Sequence, residues 1–258
     1  MSKDSLSPSA ITTGLGTRFV GQRVLYYPKL SSTMDIARKE ARRGIAEGTV
    51  VIAEEQTVGR GRLKRTWLSP QGSIALSIIL YPRISYLPYL VMLAALAAAR
   101  SIEKVTGLKT QLKWPNDVLI NGKKVCGILV ETEVGENSAA YAIIGIGINV
   151  NFKVADFPEI LDVATSLADE LGRDIPRVKI IRQLLAEVEE LCSALPDGEP
   201  IYQEWRKRLI TLGRKVQVRT STAILEGIAE SVARDGSLLL RQADGSQTRI
   251  VAGDVTLR

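Results

Sequence analysis

The sequence predicts an α+β fold that ends in a small all-β module. Short β-branched runs of strand length alternate with longer, helix-periodic segments as far as residue 211. The dipeptide Asn121-Gly122 lies between two apolar runs and predicts a tight hairpin, so part of the sheet is antiparallel. From Leu212 onward only short strand-like runs remain, separated by Asp235-Gly236 and Asp244-Gly245. We therefore divide the chain into residues 1–211 and residues 212–258.

The individual elements follow from the apolar pattern and its turn residues. Residues 1–8 are polar and are expected to be loose, and residues 9–15 suffice for one or two helical turns. Ser32-Thr33 places a hydroxyl at a helix start with a carboxylate three residues on, and this helix is expected to stop at Gly44. Further helices are predicted at 87–105, 177–195 and 201–210. Strands are predicted at 24–27, 50–53, 74–80, 111–114, 118–120, 125–131 and 140–150.

Composition indicates an ordinary globular protein. The chain has 258 residues, 45% hydrophobic and 24% charged, which is enough to bury a full core. The longest apolar stretch, 87–99, is interpreted as too short and too alanine-rich for a membrane span, and no charged leader precedes an apolar segment. Cys126 and Cys192 are far apart in sequence and are expected to be reduced thiols. A cytoplasmic location is predicted.

Histidine is absent from the sequence. This excludes a Ser-His-Asp triad, a Cys-His pair and most designs of zinc site. Any chemistry must therefore use carboxylates, amines, guanidinium groups or a bound ion. The formal net charge of +6 indicates an anionic partner, which the composition leaves open among a nucleotide, an acidic protein and nucleic acid.

The segment 54–72 combines three glycines, four cations and a tryptophan between two apolar runs. Gly59 and Gly61 allow the backbone to approach a ligand closely. Arg60 and Arg62 offer planar donor groups that match carboxylates and phosphates. The segment is thus a candidate anion-binding loop, although a solvated turn or a nucleic-acid contact would have the same composition.

Further motifs decide between these interpretations. GRGR at 59–62 is followed by KWPND at 113–117, by KxxGIL at 124–129 and by GIGIN at 145–149, with Ser31-Ser32-Thr33 and Gln56 upstream. In order, spacing and residue type this combination resembles the biotin protein ligases. The resemblance extends from about Tyr26 to the C-terminus.

The resemblance implies a class II synthetase-like fold, in which helices flank a mixed, largely antiparallel sheet, followed by a small SH3-like β-barrel. It also implies an activity: biotin and ATP form biotinyl-5′-AMP and pyrophosphate, and biotin then passes to a lysine of a biotin carboxyl carrier domain. ATP and Mg²⁺ are the expected cofactors, with the metal held mainly through the ATP phosphates. Family members often dimerise through the sheet.

Three residues receive catalytic roles from the resemblance. Lys124 is expected to hold the biotin carboxyl and α-phosphate oxygens, because its spacing to Gly127 fits the family pattern. Asp117 is expected to accept a proton from the incoming lysine amine or to orient it, and Arg62 to neutralise phosphate charge. Because biotin's carboxylate is ionised at neutral pH, this chemistry needs no histidine base. A surface lysine beside a hairpin and an Asx turn are the structural alternatives for Lys124 and Asp117.

The same resemblance assigns binding residues. Ser32, Thr33 and Gln56 match the residues that hydrogen-bond the ureido ring of biotin, although Ser32 or Thr33 would also serve as a helix cap. The biotin set further contains Gly59, Arg60, Lys124, Gly127, Gly145 and Gly147. The ATP or adenylate set contains Arg60, Arg62, Trp67, Asn116, Lys124, Asn149 and Arg258. Core packing for Trp67, strand packing for Gly127 and a turn role for Asn116 are the alternatives.

Two features separate this chain from some relatives. Lys64 occupies the position of a third glycine in the Gly-Arg-Gly-Arg-x-Gly-Arg pattern of many members. The segment ahead of the first family strand is also too short for a winged helix-turn-helix, so DNA binding is not expected. A lipoate ligase or transferase of the same fold is the closest enzyme alternative, but the chain lacks its Arg-Arg-x-x-Gly-Gly-Gly loop. A basic nucleic-acid module is the non-enzyme alternative, which the 5% aromatic content disfavours.

Overall fold

A seven-stranded mixed sheet organises the larger part of the chain. In this computed structural model, which describes residues 6–135 and 139–258, the strand order is β1-β2-β3-β7-β6-β5-β4. The strands β1 and β2 are parallel, and the remaining neighbours are antiparallel. The prediction of an α+β fold with a mixed, largely antiparallel sheet is confirmed. The strands are β1 (Val24–Leu30), β2 (Val50–Gln56), β3 (Ile74–Leu80), β4 (Gln111–Lys113), β5 (Asp117–Ile120), β6 (Lys123–Val134) and β7 (Ala139–Ile148).

Helices cover both faces of this sheet. They are α1 (Pro8–Thr12), α2 (Thr33–Ala41), α3 (Leu90–Thr106), α4 (Leu167–Leu171), α5 (Arg177–Ala194) and α6 (Glu199–Arg208). Along β3 every residue is buried, because Ile74, Leu76, Ile78 and Leu80 join the core that includes α3 and α5, whereas Ile79 joins the core beneath α2. Strand alternation therefore gives the sheet one heavily packed face and one face toward α2.

The helix α3 is the main core helix. Eleven of its residues are buried, and it ends at Gly107, whose φ of 76° is left-handed. The stretch Ile84–Thr106 is long and apolar enough to cross a membrane by length and composition, so the interpretation of 87–99 as too short is wrong on length. Its apolar side chains pack against the sheet and against α5, as in many core helices.

The C-terminal module is a five-stranded antiparallel sheet. Its strands β8 (Lys215–Arg219), β9 (Ile224–Val232), β10 (Leu238–Arg241), β11 (Gln247–Ile250) and β12 (Asp254–Leu257) follow the order β11-β10-β9-β8-β12. The predicted barrel would require β11 to pair with β12, and the described strands show no such pairing. Trp114 joins the module to the larger sheet by donating from Nε1 to the Gly236 carbonyl at 2.8 Å.

Several local predictions differ from the structure. The helix predicted from residue 87 begins at Leu90, because Pro88 lies in a 3₁₀ segment, Ile84–Tyr89, ahead of it. The short helix α4 was not predicted. The helix α2 ends at Ala41, before Gly44. The Asn121-Gly122 hairpin is confirmed, with φ of 50° and 79°, and Cys126 and Cys192 are both free.

Candidate active site

A cleft opens on the α2 face of the sheet because the central strands carry small residues there. Ala75 on β3, Gly145 and Gly147 on β7 and Gly127 on β6 all line it. The register pairs Ala75 and Gly127 with Gly147, so these positions lie on adjacent strands. The cleft holds about 760 Å³ of empty space, part of which is open to solvent.

One wall of the cleft is polar and comes from the start of α2 and the end of β2. Thr33 donates to Gln56 Oε1 from its backbone nitrogen at 2.8 Å and from Oγ1 at 3.1 Å. Ser32 precedes the helix, but its hydroxyl makes no capping hydrogen bond, so the prediction of a hydroxyl cap is wrong. Ser32 Oγ is instead buried without a hydrogen-bond partner among the described residues. A buried hydroxyl in that condition favours a ligand that supplies the missing partner.

The floor of the cleft is filled by Trp67. A Cβ at Gly147 would lie 2.3 Å from Trp67 Nε1, and a Cβ at Gly127 would lie 2.9 Å from Trp67 Cζ3. A Cβ at Gly145 would lie 2.6 Å from Met34 Sδ. The resemblance assigned these three glycines to biotin binding, and they line the cleft, but their missing side chains make room for Trp67 and Met34. Trp67 Nε1 is a buried donor without a partner among the described residues.

The segment 59–67, here called the arginine loop, is anchored at its base. Gly59 accepts a hydrogen bond from Trp67 N at 2.9 Å, and a Cβ at Gly59 would lie only 2.2 Å from the Trp67 carbonyl oxygen. Gly59 therefore serves loop closure and is not among the residues that line the cleft. Leu63, with a φ of 52°, is the residue of the arginine loop whose backbone adopts the left-handed conformation. The side chain of Lys64 lies outside the described part of the chain.

Lys124 and Asp117 form the central ion pair. Lys124 Nζ lies 2.6 Å from Asp117 Oδ1, and Lys113 Nζ lies 4.0 Å from Asp117 Oδ2. Lys124 Nζ is also 5.2 Å from the ring centroid of Trp67, within cation-π range. The structure therefore brings the predicted catalytic lysine and aspartate together on β6 and β5.

Among the described residues, Arg62 is held by a side-chain amide and a backbone carbonyl rather than by a carboxylate. Its Nη1 donates to Asn116 Oδ1 and to the Gly253 carbonyl, each at 3.2 Å. Burial lowers the pKa of the Arg62 guanidinium, while the Asp254 and Asp117 carboxylates act in the opposite direction. An arginine remains cationic at neutral pH, so Arg62 offers a partly desolvated charge to an anionic ligand.

Other arginines of the loop are paired with carboxylates. Arg60 Nη2 lies 2.9 Å from Asp35 Oδ1, and Arg60 Nη1 lies 3.6 Å from Glu131 Oε1. Arg65 Nη2 lies 2.6 Å from Asp254 Oδ2. Arg60 and Arg65 still line the cleft, so an anionic ligand must compete with these carboxylates for them.

The predicted asparagines have structural partners. Asn116 Nδ2 donates to the Ile128 carbonyl at 2.6 Å, which leaves Asn116 Oδ1 to hold Arg62. Asn149 Nδ2 donates to the Thr165 carbonyl at 2.9 Å. Asn149 lies on a second, wider cleft with about 1610 Å³ of open space, which shares Trp67, Lys124 and Asp117 with the first.

Arg258, like Gly59, is a predicted site residue that the structure places outside both clefts. Its guanidinium is half-exposed and lies 3.2 Å from Glu226. The C-terminal module reaches the first cleft through Asp254 instead. Arg258 was expected near the nucleotide, whereas the structure places Asp254, from the same closing strand, on both clefts.

Sequence reasoning missed several residues of the site. Asp35 and Glu131 hold Arg60, and Ser77 hydrogen-bonds Thr33. Their sequence context gave no signal, because each contact joins segments that are distant along the chain. In the described part of the chain no group of three or more potential ligands among His, Cys, Asp and Glu could hold a metal ion.

Comparison with known proteins gives one consistent result. Residues 26–149 match the biotin/lipoate A/B protein ligase family, and residues 211–258 match the biotin protein ligase C-terminal domain. The bifunctional ligase/repressor BirA of Bacillus subtilis is 40% identical over 98% of this chain and 79% of that protein. The biotin–acetyl-CoA-carboxylase ligase of Paracoccus denitrificans is 34% identical over 79% of this chain and 88% of that protein. The structure of the Aquifex aeolicus biotin protein ligase with biotin and ATP has a TM-score of 0.76 and 28% identity, covering 92% of this chain and 99% of that one.

Proposed function

This chain belongs to the biotin protein ligase family, and we propose that it activates biotin with ATP to biotinyl-5′-AMP and transfers biotin to a lysine of a biotin carboxyl carrier domain. The observation that carries the proposal is one cleft that joins a neutral polar wall to a cationic end. Thr33 and Gln56 form the wall, and Arg62 and Lys124 form the cationic end. Biotin has the matching asymmetry, with a neutral ureido ring at one end and a carboxylate at the other.

In the first half-reaction the carboxylate of biotin attacks the α-phosphorus of ATP, and pyrophosphate leaves. The carboxylate is already ionised at neutral pH, since an ordinary carboxyl pKa is about 4 to 5. The protein must therefore align the reactants and neutralise the negative charge that accumulates between them. We assign this to Lys124 and Arg62, which face the same cleft from β6 and from the arginine loop.

In the second half-reaction the acceptor lysine attacks the acyl carbon, and AMP leaves. The attacking amine must first lose a proton, because a lysine with a pKa of about 10 is mostly protonated. We propose that Asp117 receives or orients this amine. Asp117 is held between Lys124 and Lys113, so it also fixes the position of the lysine that acts in the first step.

The wider cleft is proposed as the nucleotide side. It shares Trp67 and Lys124 with the first cleft and extends past Asn149 to β12. Mg²⁺ would be held mainly through the ATP phosphates, since the described carboxylates that line the first cleft, Asp117 and Asp254, are each paired with a cation. The ion would supply further neutralisation of phosphate charge. A cytoplasmic location belongs to the same proposal and suits the two free thiols.

The test is substrate-dependent pyrophosphate release. The protein, ATP and Mg²⁺ are incubated with biotin or with lipoate, and a biotin carboxyl carrier domain is then added as acceptor, with a Lys-to-Arg variant of that domain as control. We expect release with biotin and labelling of the unaltered acceptor alone. Release that is independent of biotin, or equal with lipoate, would contradict the proposal.

A further inference from the structure

Ser77 lies at the centre of β3 and begins a chain of hydrogen bonds that reaches the polar wall of the cleft. Its side chain is fully buried and does not line the cleft. Ser77 Oγ donates to Thr33 Oγ1 at 2.8 Å, and Thr33 Oγ1 donates to Gln56 Oε1 at 3.1 Å. The chain therefore runs from the interior of the sheet to two residues that face the ligand.

The direction of each hydrogen bond follows from one backbone group. The Thr33 backbone N–H can only donate, so the Gln56 atom 2.8 Å away must be the amide oxygen. The Thr33 hydroxyl must then donate to that same oxygen. Thr33 Oγ1 consequently accepts from Ser77, and each bond of the chain has one permitted direction.

This polarity decides what the wall offers to a ligand. Gln56 Oε1 has both acceptor positions occupied by Thr33, so Gln56 presents its amide N–H donors to the cleft. Thr33 Oγ1 has donated once and accepted once, which leaves one lone pair. A ureido group carries N–H donors and a carbonyl acceptor in one plane, and it complements a wall that offers one acceptor beside an amide donor.

We propose that Ser77 is a positioning residue for recognition of the ureido ring, acting through Thr33. The inference rests on the proposed function. Threonine in a helix divides between two χ1 rotamers, and Thr33 is the first residue of α2. Donation from Ser77 selects the rotamer that keeps Thr33 Oγ1 against Gln56. It also satisfies a buried acceptor that would otherwise lose its partner.

The fold alone does not account for a hydroxyl at this position. Ser77 shares its sheet face with Ala75 and Ile79, both apolar and buried. A buried hydroxyl adds stability only when it is hydrogen-bonded, so its value here lies in the bond to Thr33. Ser73, one residue before β3, offers a matched comparison: it is equally buried, does not line the cleft, and its hydroxyl has no hydrogen-bond partner among the described residues.

The experiment compares Ser77→Ala with Ser73→Ala. For each, KM for biotin, KM for ATP and kcat of pyrophosphate release are measured, together with the thermal midpoint. We expect Ser77→Ala to raise KM for biotin about three- to tenfold, the range typical of one neutral hydrogen bond, with kcat and KM for ATP within about twofold. Ser73→Ala should change none of these constants by more than about twofold. Ser77→Thr, which keeps the hydroxyl, should restore most of the biotin KM.

A double-mutant cycle with Thr33→Val separates positioning from general packing. If Ser77 acts through Thr33, Ser77→Ala adds no further loss of biotin affinity in the Thr33→Val background. An unchanged KM for biotin in Ser77→Ala, equal rises in KM for both substrates, or a full additional loss in the Thr33→Val background would each overturn the inference. Should Ser77→Ala not fold, Ser77→Cys preserves the side-chain volume with a weak donor and is held to the same outcomes.

Titration of biotin into the protein without ATP separates a failure of the proposed function from a failure of the role assigned to Ser77. A wild-type protein that does not bind biotin would refute the proposed function. A wild-type protein that binds biotin with an affinity that Ser77→Ala leaves unchanged would refute only the role of Ser77.

Discussion

Replacing Lys124 by alanine should abolish most of the adenylation activity. Lys124 Nζ lines both clefts, at the point where the biotin carboxylate and the α-phosphate are expected to meet. A unit charge about 4 Å from a developing negative charge contributes about 4 kcal/mol at an effective dielectric constant of about 20. Loss of one preorganised oxyanion donor typically costs about 3 to 4 kcal/mol. At about 1.4 kcal/mol per factor of ten, pyrophosphate release should fall by roughly two to three orders of magnitude.

The variant should still fold, because the contacts of Lys124 that organise its surroundings come from the backbone. Its N–H donates to the Val163 carbonyl, and its carbonyl accepts from Thr165 N, each at 2.9 Å. Asp117 loses its nearest cation but keeps Lys113 at 4.0 Å.

Single-turnover release of pyrophosphate, with circular dichroism as the fold check, measures the effect. Lys123→Ala is the matched control, because Lys123 is the exposed neighbour whose Nζ, among the described residues, donates only to the Leu161 carbonyl, at 3.3 Å. Its rate should stay within about twofold of wild type. Release by Lys124→Ala at a near-wild-type rate would refute the assignment of Lys124 as the charge-neutralising residue.

Four further outcomes are expected. Gly147→Ala should destabilise the protein by about 1 to 3 kcal/mol and raise KM for biotin, since the new Cβ would lie 2.3 Å from the indole above it; an unchanged thermal midpoint would contradict this. Arg62→Ala should loosen the arginine loop, because it removes the bond to Gly253 and leaves the pair of Arg65 with Asp254 to hold the loop to the C-terminal module. Hydrogen exchange in the loop should increase and biotinyl-adenylate should escape into solvent, measured as acceptor-independent protein labelling. Glu189→Gln should lower the free energy of unfolding by about 1.5 to 3 kcal/mol near neutral pH, because burial opposes ionisation of Glu189 but three backbone N–H donors outweigh it and hold its pKa below 4.5. The difference in stability from wild type should be constant above about pH 5 and should shrink as the pH falls through that lowered pKa. A difference that persists in acid would refute this. Arg258→Ala should leave KM for ATP within about twofold, because the side chain pairs with an exposed carboxylate outside both clefts; a marked rise would restore a nucleotide contact.

Sequence patterns within a few residues predicted the strands and turns whose conformation depends on those residues alone. The run 74–80 was predicted with the bounds of β3, because seven consecutive apolar or small residues suit a strand buried on both faces. The Asn-Gly hairpin followed from the left-handed conformations that those two residues accept. By contrast, α4 has only five residues and too short an apolar pattern to detect.

The grouping of several site residues around one cleft was predictable from the motifs, but the ion pairs among them were not. Motifs located Lys124, Asp117, Arg62 and the polar wall. The pairing of Arg60 with Asp35 and Glu131 depends on how the arginine loop lies over the sheet, which no local spacing encodes. Ser32 illustrates the same limit, because its sequence position is that of a cap while its hydroxyl makes no capping bond.

The position of Trp67 divides the arginine loop into a base that is packed on the sheet and a tip, residues 61–65, that is not held by this packing. The indole occupies the space left by Gly127 and Gly147, so lifting Trp67 would expose two bare strands and open a void under the cleft. The backbone bridge between Arg60 and Thr66 lies just beyond this anchor. Opening of the arginine loop should therefore cost least in residues 61–65, which lie between the two bridged residues. The strands β6 and β7, on which Trp67 packs, would stay in place.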